Sequence, residues 1–227
     1  MVTRVLNPLG RLLASLRDAS RARRLTRTTD VLARVTLALP SVNRWIDELL
    51  AAHGESANPV SELGFTGLAG CFPASLLDAT RVALVRRVPV PPMSAFGIPE
   101  FEALANTPMA GITFRGMYFI HESHSFESVH FHELVHAIQW RVLGSDDFLL
   151  TYAATVLRDG YARSPLEAMA FELDGGFKCG LRLPDIPDRV ARGAVRARES
   201  AAAAFRACGL EFGDQRRQPM GGRDSQR

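Results

Sequence analysis

The sequence His-Glu-Leu-Val-His at residues 132–136 lies in an apolar stretch and has the spacing of a metal site. On a helix, residues four apart lie on one face, so the imidazoles of His132 and His136 can hold one metal ion together. Glu133 then lies beside the metal, where a carboxylate can take a proton from a metal-bound water. The motif therefore predicts a zinc site with its own general base.

A catalytic zinc ion takes three protein ligands and keeps one position for water, so a third ligand must follow downstream. No histidine follows His136, and position 139 is a glutamine. We choose Glu167, because a new helix after a turn can return it to the two histidines. Ser164 and Glu167 also fit a capping box, in which the glutamate would only close a helix N-terminus. Glu172 is the alternative ligand, but it lies well over one helical turn further on and faces another direction.

The two motifs together resemble the gluzincin metallopeptidases, in which a second helix supplies a glutamate ligand. The residues that carry the resemblance are His132-Glu133-x-x-His136 and, downstream, Glu167-Ala168-Met169-Ala170. Residues 132–139 also resemble bacterial peptidase-like domains marked by H-E-x-x-H-x-x-Q. The resemblance spans residues 112–173, and it implies a zincin-like fold that hydrolyses a peptide or amide bond with zinc held by His132, His136 and Glu167.

The chain departs from the gluzincin pattern at position 171. Gluzincins commonly have an aspartate four residues after the glutamate ligand, where it supports a zinc-bound histidine, whereas this chain has Phe171. Such carboxylates fix the tautomer of the histidine. Either Glu172, Asp174 or a backbone carbonyl substitutes here, or the site is weaker.

Hydrolysis through a tetrahedral oxyanion also needs a hydrogen-bond donor. Tyr161, just before the Glu167 helix, is the predicted donor, although packing is the alternative role of any tyrosine. The other candidates are Tyr152, His121 and His124. His121 and His124 lack the spacing of a helical metal pair, and together with His130 they are otherwise interpreted as surface or cleft histidines.

The helix that carries the motif is predicted to begin at a cap formed by Ser125 or Ser128 and to end at Gly144. Residues 111–120 predict the strand before it, as a hairpin bent at Arg115-Gly116. The part over residues 117–120 is predicted to bind an extended substrate by edge pairing. The predicted buried stripe of the motif helix is Phe131, Leu134, Val135, Ile138 and Val142.

Other segments supply the remaining elements. The N-terminal region predicts two or three helices, broken near residues 28–30 and at Pro40, with Asp30 and Ser41 as N-caps. Residues 82–85 and 88–92 are typical of extended or edge segments. Further helices are predicted over residues 146–158, 164–173 and 188–208.

The predicted fold class is α+β, zincin-like and mostly helical, with a small sheet beside the motif helix. The predicted organisation is an N-terminal helical segment over residues 1–53, a zincin-like domain over 54–212 and a disordered tail over 213–227. Three unpaired-looking cysteines in 227 residues argue against a disulfide framework, and no stretch is apolar enough to span a membrane. We therefore expect a cytoplasmic protein.

The formal net charge is only +3 and Lys178 is the sole lysine, so no nucleic-acid surface is expected. The leading hypothesis is a zinc-dependent hydrolase acting on a peptide or protein substrate. One alternative is a zincin fold that binds without turnover, against which Glu133 counts because a structural site needs no base. The other is a helical interaction protein without metal, whose arginine-rich N-terminus contacts an anionic partner.

Overall fold

The computed structural model describes residues 8–213, with the backbone alone described for residues 8–24 and 105. In this range the protein is mostly helical with one small four-stranded mixed sheet, which confirms the α+β class. The strands are β1 (Asn58–Pro59), β2 (Arg81–Val85), β3 (Gly111–Phe114) and β4 (Met117–His121). The helices are α1 (Pro8–His53), α2 (Thr66–Cys71), α3 (Ala74–Ala79), α4 (Glu102–Ala105), α5 (Glu127–Leu143), α6 (Ser145–Asp159), α7 (Pro165–Lys178) and α8 (Ile186–Ala207).

The sheet has the strand order β1-β2-β4-β3, in which β2 and β4 are parallel and the other pairs are antiparallel. The predicted hairpin is confirmed, and Arg115 takes a positive φ of 55° at its bend. β4 lies between two partners, so the prediction of edge pairing along residues 117–120 is wrong and β3 is the edge strand. Residues 82–85 lie in the interior strand β2, and residues 88–92 form no regular element.

The helix α1 runs unbroken from Pro8 to His53, so the predicted breaks near residues 28–30 and at Pro40 are wrong. The hydroxyl of Thr29 donates to the Leu25 carbonyl at 3.0 Å, which ties it to the preceding turn of the same helix. Asp30 and Ser41, predicted as N-caps, lie inside the helix and are exposed. Apolar packing of α1 outweighs these local signals; its buried residues are Val31, Leu32, Val35, Ala38, Val42 and Ile46.

The motif helix α5 begins without the predicted cap. Phe126 occupies its N-cap position and no side chain caps the helix, because the Ser125 hydroxyl bonds His130 and Ser128 lies within the first turn. Gly144 follows the last residue as predicted, with a φ of 74°. The stripe from Phe131 to Ile138 is buried as predicted, whereas Val142 is exposed on a last turn that reaches the surface.

The helices after α5 follow the predicted order, but the C-terminal end of α7 lies further along the chain than predicted. α7 continues through Gly175 and Gly176 to Lys178, beyond the predicted end near Leu173. A Cβ on Gly176 would lie 3.1 Å from Leu183 Cδ2, so the absence of a side chain there lets the following segment pack against α7. Glycines inside a helix lower its propensity, but tertiary packing compensates here.

Two apolar cores flank the sheet and α5. The first contains residues of α1, α6 and α8 with Phe119 and Trp140, and the second contains residues of α2, α3 and α7 with Tyr118 and Phe131. α5 thus lies between both cores, buried on nearly every side from His130 to Trp140. A helix in this position can hold polar side chains only where they have partners.

Within the described range, no helix is both long and apolar enough to cross a bilayer. The three cysteines, Cys71, Cys179 and Cys208, are free thiols. The predicted disordered tail, apart from residue 213, and the arginine side chains up to position 24 lie outside the described residues.

Candidate metal centre

Three predicted ligands converge between α5 and α7. Nε2 of His132 lies 3.1 Å from Nε2 of His136, and these two atoms lie 3.7 and 3.5 Å from Oε2 of Glu167. Two donors bound to one tetrahedral zinc ion at ~2.0–2.1 Å lie about 3.4 Å apart. The three donor atoms therefore have the mutual spacing that a tetrahedral ion requires. Among the described residues, His132, His136 and Glu167 form a group that could hold a metal ion.

The state of Glu167 supports this fit. Its Oε2 is buried and has no hydrogen-bond partner, whereas its Oε1 accepts a hydrogen bond of 2.8 Å from the Tyr152 hydroxyl. A buried carboxylate oxygen without a partner is costly unless a cation lies against it. The residues present therefore suit a divalent cation with nitrogen and oxygen ligands, of which zinc is typical.

The alternative role of Glu167, closing a capping box, does not occur. Ser164 occupies the N-cap position of α7, but its hydroxyl pairs with the Thr155 hydroxyl at 2.9 Å and makes no cap bond. The Ser164 N–H donates to the Gly160 carbonyl at 2.9 Å, so it is not available to the Glu167 side chain. Glu167 is left to face the two histidines.

The alternative ligand, Glu172, lies away from the centre. It is exposed and pairs with Arg189 at 2.6 Å. Asp174, considered as a support for a histidine ligand, is buried and pairs with Lys178 at 2.6 Å. Neither carboxylate reaches His132 or His136, so neither replaces the aspartate that the gluzincin pattern places at position 171.

The support for His136 comes from Gln139, which sequence reasoning did not assign. Oε1 of Gln139 lies 2.8 Å from Nδ1 of His136, and its Nε2 donates to the Leu166 carbonyl at 3.0 Å. An amide oxygen accepts only, so Nδ1 of His136 carries a proton, and in the neutral imidazole Nε2 has the lone pair that a metal needs. The signal was the i, i+3 spacing of His136 and Gln139, which puts both on one face of α5.

Phe171 contacts the other histidine ligand. Its ring lies 4.9 Å from that of His132 and 6.3 Å from that of Tyr161. Position 171 thus packs an aromatic ring on a candidate metal ligand, where gluzincins commonly have a carboxylate. His132 is oriented by packing on this side.

The predicted general base, Glu133, is buried and held by the edge strand. Oε2 of Glu133 accepts a hydrogen bond of 2.6 Å from the Thr113 hydroxyl. A Cβ at Gly111 would lie 2.7 Å from Oε1 of Glu133, so only glycine leaves room for this carboxylate. β3 therefore fixes the position of Glu133 beside the three ligands.

The electrostatics of the centre follow from burial and mutual charge. Burial lowers the pKa of His136, but the Glu167 carboxylate, together with Glu133 and the hydrogen bond to Gln139, outweighs burial and raises this pKa to about 9. Burial opposes ionisation of Glu167, yet the adjacent histidines hold its pKa well below its usual range. Burial also raises the pKa of Glu133, while His132 and His136 oppose the shift. A base whose pKa moves toward neutrality is suited to proton transfer.

The two tyrosines have different surroundings. Tyr152 is committed to Glu167, whereas Tyr161 lines the cavity beside Glu133 and Glu167. Burial raises the pKa of Tyr161, and the carboxylates of Glu167 and Glu133 raise it further, so its hydroxyl stays protonated and able to donate. Its role as the oxyanion donor stays a prediction.

The remaining histidines of this region lie outside the cavity. His121 and His124 bond through the Ser123 hydroxyl at 2.7 and 2.9 Å. His130 is fully buried, so its interpretation as a surface or cleft residue is wrong. It lies between the hydroxyls of Tyr118 and Ser125, each at 2.9 Å, and burial lowers its pKa to about 4.

Comparisons with protein-family models, with curated proteins and with solved structures found no match.

Proposed function

We propose that the protein is a zinc-dependent hydrolase that cleaves a peptide or amide bond. The observation that carries the proposal is the placement of Glu133 beside three donor atoms with tetrahedral spacing, one of which is a buried carboxylate oxygen without a hydrogen-bond partner. A structural zinc site is closed by four protein ligands and has no use for a base. Three ligands with an adjacent carboxylate suit a catalytic site.

Each residue has a distinct part in the proposed reaction. His132, His136 and Glu167 would hold the zinc ion. When bound there, the ion would supply Lewis acidity and lower the pKa of its water. Glu133 accepts a proton from the attacking water and passes it to the leaving amine. The Tyr161 hydroxyl donates a hydrogen bond to the developing oxyanion.

The edge strand β3 supports a peptide substrate. It has one unpaired edge next to Glu133, and an extended peptide can add to such an edge through main-chain hydrogen bonds. We infer a peptide or protein substrate on this ground. The free cysteines suit a reducing compartment, so we also infer a cytoplasmic location.

The metal part of the proposal is tested by zinc content per chain, measured by elemental analysis of the purified full chain. We expect about one zinc in the parent, since three ligands of this type define a single site. Glu167→Ala should lose it. Glu172→Ala is the matched control, because it removes an exposed glutamate from the same helix and should keep the zinc. Zinc absent from the parent, or lost equally in both variants, would contradict the ligand assignment.

The catalytic part is tested with Glu133→Gln and a mixture of fluorogenic peptides. The variant should keep its zinc and lose about 10²–10⁴-fold in hydrolysis, the contribution typical of a positioned base. Full activity in this variant would refute the role of Glu133. Zinc binding without hydrolysis in the parent would instead favour a zincin-type module that binds without turnover.

A further inference from the structure

A cavity of about 150 Å³ extends from the candidate metal centre into the first apolar core. Its walls are the second half of α1, the edge strand β3, the helices α5 and α6, and the segment over residues 90–104, which ends in α4. His136, Glu133 and Glu167 lie at one end. Protein interiors are close-packed, so a cavity of this size next to reactive groups calls for an explanation.

The charged and titratable residues of the cavity all belong to its metal-centre end. They are His132, Glu133, His136, Tyr152, Tyr161 and Glu167. The α1 wall consists of Val35, Leu39 and Val42, and Ala153 and Phe148 of α6 also line the cavity. A charged side chain entering between these walls would lose its hydration without gaining a partner, which is strongly unfavourable. An apolar group would gain by leaving water.

The volume indicates what the cavity can hold. Whole drug-sized ligands occupy pockets of roughly 300–1,000 Å³, well above the volume found here. An apolar cavity of about 150 Å³ accommodates a molecule of the size of benzene. The space therefore matches one aromatic or branched aliphatic side chain and excludes a longer segment.

We propose that this cavity is the specificity pocket of the protein and takes one bulky apolar side chain, of the size of leucine or phenylalanine, next to the bond that is cleaved. The inference that this pocket binds a substrate side chain rests on the proposed function. The pocket itself is defined by its lining residues and needs no metal. α1 and residues 90–104 lie outside the motif region over residues 112–173. Part of the pocket wall is thus contributed by segments other than those that carry the chemistry, and β3, α5 and α6 contribute the rest.

The pocket is tested first without metal, by titrating the full chain in EDTA with toluene and following ligand-observed NMR. The parent should bind toluene, and Ala153→Leu should weaken binding at least tenfold because the added side chain fills the cavity. Ala203→Leu is the matched control, since Ala203 is exposed on α8 and lies outside the cavity. No toluene binding by the parent, or equal binding by the two variants, would overturn the proposal.

A second pair of variants enlarges the pocket and so does not depend on the overpacked variant folding. Leu39→Ala removes part of the α1 wall and should improve binding of naphthalene relative to toluene. Leu37→Ala is two residues away on the same helix and 80% exposed, so it should leave both affinities unchanged. A naphthalene-to-toluene ratio that is the same in the two variants would refute the α1 wall as part of the pocket.

Substrate selection is tested with peptide hydroxamates on the zinc-loaded protein. Inhibitors with a leucine or phenylalanine side chain next to the hydroxamate should bind at least tenfold more tightly than those with alanine or glutamate, because one methylene alone is worth roughly 10–200-fold in a fitted pocket. Toluene binding without any hydroxamate binding would show a failure of the proposed function. Hydroxamates of equal affinity would show a failure of the specificity pocket alone.

Discussion

Gln139 is the residue that decides which nitrogen of His136 is available to a metal. Its amide oxygen lies 2.8 Å from Nδ1, and its amide nitrogen bonds the carbonyl of Leu166, the residue before Glu167. One side chain thus orients His136, a candidate ligand on α5, and ties it to the helix that carries Glu167, the candidate glutamate ligand. Residues of this kind contribute to affinity without touching the metal.

We predict that Gln139→Ala weakens zinc binding by about 10–100-fold, the usual effect of losing a hydrogen-bond partner of a ligand histidine. Competition with a chelator measures this affinity. Gln139→Glu is the informative companion variant, because it keeps an acceptor for Nδ1 while a charged carboxylate oxygen replaces the N–H that bonds Leu166. Its affinity should lie closer to that of the parent; equal losses in both variants would mean that Gln139 acts by packing alone.

Gly111 controls the position of Glu133, the proposed general base. We predict that Gly111→Ala keeps the zinc but lowers peptide hydrolysis, because its Cβ would lie 2.7 Å from Oε1 of Glu133 and displace the carboxylate. A displacement of about 1 Å can cost about 10²-fold in rate. Gly70→Ala on α2 is the control, since nothing lies within 4 Å of its Cβ. Unchanged hydrolysis in Gly111→Ala would show that Glu133 tolerates movement.

At the scale of elements, the two halves of α7 make different contacts, and each half needs different residues. Its N-terminal half presents Glu167 to α5, and its C-terminal half must approach the segment that leads to α8. Gly175 and Gly176 weaken the helix, but only the second makes close contact with that segment. A side chain added at Gly175 should therefore affect stability differently from one added at Gly176.

We predict that Gly175→Ala raises the free energy of unfolding by about 0.4–1 kcal/mol, because alanine restricts the unfolded chain and nothing lies within 4 Å of the added Cβ. Gly176→Ala should lack this gain, since Leu183 Cδ2 lies 3.1 Å from the added atom and must move. Urea unfolding of both metal-free variants measures the difference. A larger gain at Gly176 than at Gly175 would contradict the packing of Leu183 on α7.

For the molecule as a whole, folding and metal binding share the same buried charges. In the metal-free protein, a proton on His136 offsets the Glu167 carboxylate, and the proposed zinc ion would have to displace that proton to bind. Any ligand that binds only the folded state also raises its stability. Stability, pH and zinc are therefore linked through one pair of side chains.

We predict that the metal-free protein is most stabilised by this pair between about pH 4.5 and 6.5. The pKa of Glu167 is lowered from its ordinary 4.5, so its contribution is present above that pH and is lost as pH falls further. The pKa of His136 is raised from 6.5 to about 9, so its contribution is present below 6.5 and is lost as pH rises through about 9. Thermal unfolding in EDTA across this range measures both effects.

Glu167→Gln provides the control for this pH dependence. It removes the charge that raises the pKa of His136, so the loss of stability between pH 6.5 and 9 should be smaller than in the parent. Added zinc should have the opposite trend in the parent and stabilise more at higher pH, because the metal needs the neutral imidazole. The same slope in the parent and in Glu167→Gln would place the titrating group elsewhere.

The sequence by itself determined the features that depend on short-range periodicity. The spacing of His132 and His136 puts both on one face of a helix, and Glu133 beside them is the predicted base. The strand-forming residues over 111–120, with a bend at Arg115-Gly116, predict the hairpin that precedes them. These features need only the geometry of a helix or a strand. The α+β class and the order of the later helices follow from the same local patterns.

Other features depend on the tertiary structure, because short-range spacing allows a residue more than one role. Glu167 fits a helix cap as well as a ligand by spacing, and the choice depends on how α7 packs against α5. Gln139 and Gly111 acquire their roles from partners that are distant in the chain or across the sheet. α1 stays continuous through Pro40 because its buried face packs in the first apolar core. Burial of this long apolar face outweighs the local signals for a break.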